Sequence, residues 1–210
     1  MELDQTTEFR EQRPKGARAS IPSTENRPAN VGERQAPLRV GYRREPERAL
    51  ATDRGRTLGM APSDPFHLRA EIGEEYDGAE LEVGVHRGVG GLHDAPNPGE
   101  ILCTALAACQ DQVLRMVANL CGVELLNVRT EVADDVDLRG TLMVDPDVQV
   151  GFRSIRCEAE LTPAPGSDPR QVERMIEIAE RCCVVLATLR NGVPVETEFR
   201  VEAPEAEPPL

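Results

Sequence analysis

Residues 96–125 read PNPGEILCTALAACQDQVLRMVANLCGVEL, and the reading of this stretch decides the fold. Asn97 is a good N-cap, Pro98 suits the first helical position, and Glu100 stands three residues after the cap, as a capping box requires. Gly122 is placed to stop the helix in the left-handed conformation. From Ile101 to Cys109 the segment is apolar almost all round, and only the i,i+4 pair Asp111 and Arg115 marks a polar side. The spacing therefore predicts one long central helix, buried on more than one face.

Outward from this helix the period changes. Upstream, Phe66, Leu68, Ala70 and Ile72 alternate with His67, Arg69 and Glu71. After a turn at Asp77–Gly78, Ala79, Leu81, Val83 and Val85 alternate with Glu80 and Glu82. The two runs predict a hairpin. The glycine-rich stretch HRGVGGLHDAPNPGE is a loop leading into the helix. Downstream, Val128, Thr130, Val132, Val136 and Leu138 predict a strand, and Val148, Val150 and Phe152 predict another. The second changes phase to Ile155, Cys157, Ala159 and Leu161, which places a bulge near Arg153–Ser154. Asp168 and Pro169 open a second helix whose Val172, Met175, Ile176 and Ala179 face inward. Asn191–Gly192 makes a turn or a helix stop, and Val193, Val195, Thr197, Phe199 and Val201 predict a final strand.

The order is two strands, a long helix, two strands, a helix and a strand, an α+β arrangement with antiparallel sheets around a buried central helix. A helix apolar on nearly every face needs cover on both sides, so a partner subunit is expected. Residues 1–35 are polar and proline-rich and are read as disordered, residues 36–202 as the folded domain, and 203–210 as an acidic, proline-rich tail. A short helix is expected near Arg43–Ala51.

The chain of 210 residues carries a net charge of −13, and residues 1–60 sum to +3, which leaves −16 on the rest. An acidic body disfavours sequence-independent nucleic-acid binding. No apolar run approaches the roughly 20 residues of a membrane span, and the N-terminus lacks the apolar stretch of a signal peptide, so a cytoplasmic location is the default. The six cysteines do not make a disulfide-stapled scaffold in a chain of this size, and with His67, His86 and His93 they form no metal-ligand spacing. The acidic run at 133–137 lacks the glycine and terminal glutamate of a calcium loop. No metal or organic cofactor is expected.

Three stretches carry a resemblance to a known family: the helix quoted above, VRTEVADDVDLRGTLMV at 128–144, and AERCCVVLATL at 179–189. Together they resemble the osmotically inducible protein C and organic hydroperoxide resistance family (OsmC/Ohr), over residues 36–202, as a divergent member. The resemblance implies an intertwined homodimer and a thiol-dependent, peroxiredoxin-like peroxidase. A peroxidatic thiolate on the long helix would attack an organic hydroperoxide, and a second cysteine would resolve the sulfenic acid to a disulfide. A small-molecule or protein dithiol would reduce that disulfide. Residue by residue, Cys109 matches the first cysteine, and Cys183 rather than Cys182 the second. Cys103, Cys121 and Cys157 are read as structural. Two departures stand out. Gly99 occupies the position that the peroxidase branch fills with glutamate, leaving Glu100 as the nearest acid, and Val184 replaces the proline after the second cysteine. Glu100, Arg87 and Arg69 are the candidates for activating or orienting the thiolate. The alternatives to peroxidase chemistry are a divergent protein binding a small apolar or electrophilic ligand at the dimer interface, and a purely structural or interaction dimer.

Overall fold

The computed structural model describes residues 30–59, 63–73 and 78–201. Asp77 of the predicted turn, residues 1–29 of the N-terminal extension and the tail from 202 lie outside the described residues.

The central helix forms as the caps dictate. Helix α2 runs Pro98–Cys121. The Asn97 side chain accepts hydrogen bonds from the backbone N–H groups of Gly99 and Glu100, and the Glu100 carboxylate accepts from the Asn97 N–H at 2.9 Å. Gly122 closes the helix at φ 68°, a conformation that costs glycine little. Its inward stripe is Cys103, Leu106, Gln110, Leu114, Val117 and Ala118, the three- and four-residue spacing of one helical face.

That stripe meets two neighbours. Strands β4 (Leu125–Val136) and β5 (Phe152–Pro163) form an antiparallel ribbon that turns Val128 toward α2. Helix α4 (Pro169–Cys182), capped by Asp168, presents Met175 and Ala179 to Leu114 and Val117. Full burial of a side chain such as Met175 contributes about 1.5–3 kcal/mol. Arg115 pairs with Asp111 and donates to the Val128 carbonyl at 3.0 Å, tying the polar side of α2 to β4. The register passes from Asp135 opposite Ser154 to Val136 opposite Phe152, so Arg153 is the extra residue of a bulge where the phase change required one.

A separate three-stranded antiparallel sheet holds β1 (Gly55–Leu58), β2 (Leu68–Ile72) and β3 (Ala79–Val83) in sequence order. The hairpin β2–β3 follows the expected alternation, while β1 was not anticipated. A short helix α3 (Leu138–Thr141) follows β4. Helix α5 (Val184–Asn191) follows α4 after a single extended residue, Cys183.

Three expectations are corrected. The N-terminal helix, α1, spans Val31–Arg44 rather than 43–51, so ordered backbone begins inside the segment read as disordered. Asn30 caps it, and the Val31 N–H donates to the Asn119 side chain of α2 at 2.9 Å. A 3-10 turn, Pro46–Ala49, occupies the expected place. Residues 193–201 adopt no strand, and Phe199 and Val201 are 89% and 91% exposed. Their alternation is real, but a strand needs a paired neighbour and these residues have none among those described. Finally, α2 is long and apolar enough to cross a membrane by length and composition alone. It carries Asp111 and Arg115 mid-length and packs on β4 and α4, as a core helix does. In the single chain it is also less buried than expected, with Leu102 and Leu120 exposed.

Candidate functional site

Cys109 lies midway along α2, one position from the buried stripe. Cys183 lies at the joint between α4 and α5, with extended backbone at φ −76° and ψ 106°. This break turns the chain, so that a thiol 74 residues downstream comes back onto the central helix. The Cys183 Sγ–H donates to Cys109 Sγ across 3.3 Å. Cys183 is 0% exposed, Cys109 is half-buried, and neither is bonded in a disulfide. Burial pushes the Cys183 thiol up, and the adjacent thiols of Cys109 and Cys157 add to the shift. Two thiols at this separation need only a small approach to reach the S–S bond length of roughly 2 Å.

The remaining cysteines separate clearly. Cys182 is exposed, and it is Cys183 that meets Cys109. Cys103, buried, donates to Asp134 at 3.3 Å, and burial together with that carboxylate pushes it up to about 11. Cys121 is half-buried beside the core. Cys157, read as structural, is half-buried on β5 and lines a cavity of about 520 Å³.

The polar candidates are placed elsewhere. Arg69 pairs with Glu80 across the β2–β3 hairpin. Arg87 lies in a short 3-10 turn of the glycine loop. Glu100 is committed to the capping box, with its other oxygen 3.8 Å from His93 Nε2. Among the described residues, no hydrogen bond or ion pair joins Arg69, Arg87 or Glu100 to Cys109. Gly99 is explained by its surroundings. A Cβ there would come within 3.0 Å of Asn97 Oδ1 and 3.3 Å of the Phe152 ring. Phe152 also helps to wall a second cavity, of about 730 Å³, with Phe66, Leu68, Val85 and Val136 at the start of α2.

Sequence reasoning missed one polar feature. His67 stands between two carboxylates, Nδ1 at 2.8 Å from Asp64 and Nε2 at 2.9 Å from Asp94. Carboxylates only accept, so this arrangement favours the imidazolium, which donates from both ring nitrogens. Hydrogen bonds to Asp64 and Asp94 raise its pKa, and the same bonds lower those of both carboxylates. The link ties the start of β2 to the glycine loop. Asp94, three residues before the Asn97 cap, was the available signal. Among the described residues no group of three or more His, Cys, Asp or Glu side chains is arranged to hold a metal.

Comparison with known proteins agrees with this architecture. An OsmC-like protein from Vibrio cholerae superposes with a TM-score of 0.53 at 12% identity, over 66% of this chain and 94% of its own. One from Mycoplasma pneumoniae gives 0.52 at 14% identity, over 68% and 89%. An organic hydroperoxide resistance protein from Elizabethkingia anophelis gives 0.51 at 18% identity, over 68% and 91%. At such identities the likeness is one of fold. No curated protein matches the chain. The sequence profile of the OsmC-like proteins matches residues 91–198, half of the chain, and takes in both helices that meet at the thiol pair. With its α+β fold and this match, the chain belongs to the OsmC-like protein family.

Proposed function

We propose that the chain is a thiol-dependent peroxidase that reduces organic hydroperoxides. The observation that carries this reading is the 3.3 Å approach of the Cys109 and Cys183 sulfurs. The Cys109 thiolate attacks the O–O bond, forming a sulfenic acid, and the alkoxide leaves and takes up a proton as the alcohol. The Cys183 thiol condenses with the sulfenic acid, the S–S bond forms and water leaves. An external dithiol then returns both thiols by exchange, becoming a disulfide itself. These steps use cysteine chemistry alone. The exposed alanines Ala105 and Ala108 on α2, with the uncovered residues 193–201, favour a homodimer that covers both. The domain that begins at α1 then works in the cytoplasm, where thiols stay reduced.

A second reading rests on Gly99 and Phe152. With the aromatic ring in the place of an acid, the 730 Å³ cavity suits a small apolar ligand, and the protein binds without peroxide turnover. One assay separates the two. Reduced protein is mixed with cumene hydroperoxide and dithiothreitol, and peroxide loss is followed in wild type, Cys109→Ser and Cys183→Ser. Turnover in wild type alone supports the first reading. Wild-type loss no faster than that of Cys109→Ser removes it.

A further inference from the structure

Aromatic and acidic side chains wall the cavity of about 730 Å³ at the start of α2. Its size is that of a small-molecule site. Phe66, Leu68, Val136 and Phe152 supply apolar and aromatic surface. Among the described residues that line it are two carboxylates, Glu100 and Asp134, and no lysine or arginine. His67 lines it too, but both its ring nitrogens are taken by Asp64 and Asp94. His86 Nδ1 accepts from the Gly88 N–H, so that ring carries no charge in this arrangement.

The two carboxylates are brought together by α2, and both have accepting capacity to spare. Cys103 donates to Asp134 at 3.3 Å and stands one turn after Glu100 on the same helix face. That thiol is the only donor Asp134 receives among the described residues, and a thiol donates weakly. Asp134 is half-buried, while Glu100 stands exposed at the rim. Glu100 Oε2 accepts from the Asn97 backbone N–H and side-chain amide. Its Oε1 takes no hydrogen bond among the described residues, since His93 Nε2 is 3.8 Å away. The Phe152 ring joins the same wall. It lies against Gly99, the residue before Glu100, and Phe152 pairs with Val136, two residues from Asp134.

We propose that this cavity binds a small organic cation, a primary ammonium on an apolar body. The ammonium donates to Asp134, with Glu100 beside it, and the body lies against Phe66, Leu68 and Phe152. The inference rests on the ligand-binding reading of this cavity and adds the charge of the ligand. A neutral apolar molecule would strip water from a half-buried carboxylate and give it no donor in return. An anion would meet two like charges and no counter-charge. An ammonium supplies charge-assisted hydrogen bonds to the carboxylates, and the faces of Phe66 and Phe152 attract it as well.

The test is calorimetric titration of the full chain, reduced and at neutral pH, with phenylbutylamine, phenylbutanol and phenylpentanoate. All three carry a phenyl ring on the same four-carbon chain and differ in the head group. The amine is expected to bind about tenfold more tightly than the alcohol, the lower end of what a hydrogen bond to a charged group supplies. The carboxylate is expected to bind more weakly than the alcohol. Asp134→Asn keeps an oxygen for the Cys103 thiol and removes the charge, so it should abolish most of the amine's advantage and leave the alcohol's affinity in place. Should that variant not fold, Glu100→Gln is titrated instead and should reduce the same advantage. Amine and alcohol binding equally to wild type would overturn the inference and leave the apolar-ligand reading standing. Binding of none of the three overturns both. An amine advantage that persists undiminished in a folded Asp134→Asn places the amine elsewhere on the acidic surface and overturns the site.

Discussion

The ring of Phe152 closes the space over Gly99: a Cβ at that glycine would meet Cζ at 3.3 Å. The strand that begins at Phe152 thus dictates what the first turn of the central helix can carry. Gly99→Glu should cost about 1–3 kcal/mol, the range for overpacking a filled site. Urea unfolding of Gly99→Glu, Phe152→Ala and the double variant checks this. The double variant should be more stable than the sum of the two losses. Strict additivity would mean that the ring simply moves aside.

The capping box makes a graded prediction. Asn97→Ala removes the acceptor used by two backbone N–H groups and should cost about 1 kcal/mol. Glu100→Gln keeps an oxygen for the Asn97 N–H and should cost less. Thermal melts rank the two. If Glu100→Gln lowered peroxide turnover while leaving the melting temperature in place, Glu100 would have a part in the chemistry beyond capping.

Leu114 anchors the junction of α2, β4 and α4 at 1% exposure. Truncating it leaves a void that three elements cannot all relax into. Leu114→Ala should cost about 2–5 kcal/mol. The same change at exposed Leu102 should cost far less, unless a second subunit covers that face. A concentration-dependent loss of stability in Leu102→Ala would then appear, and analytical ultracentrifugation alongside the melts would register it.

His67 predicts a pH profile. Its pKa is raised above 6.5 by Asp64 and Asp94, so its contribution to stability is full below that value and is lost as pH rises through the folded value. The two carboxylates are lowered from 3.8, so their contribution is present above that value and is lost as pH falls through the lowered ones. The difference in melting temperature between wild type and His67→Gln should be largest between about pH 4 and 6.5 and shrink on either side. A difference independent of pH would sink the imidazolium assignment.

Much of this architecture was legible because its signals are local. Asn97, Pro98 and Glu100 announced α2, and the phase change at Arg153 announced the bulge. The pairing of Cys109 with Cys183 followed from family resemblance, since no local pattern links residues 74 apart. What the sequence concealed depends on neighbours. Periodicity shows that residues 193–201 can pair but not whether another strand is available. The polar surface and internal proline of α1 hide a helix held by its Asn30 cap and by Asn119. Cys157 read as core because nothing in a single strand reveals a cavity built from three elements. His67 needed two carboxylates, one of them 27 residues away.

The single extended residue between α4 and α5 has a mechanical consequence. In the proposed reaction, bond formation would draw the two sulfurs from 3.3 Å to roughly 2 Å. Had Cys183 stood inside a helix, that travel would have bent a ladder of hydrogen bonds. Placed at a joint, it is absorbed by rotation about one residue's backbone, as a hinge pin turns between two rigid leaves. In the proposed reaction the two thiols would close and reopen while both helices keep their shape.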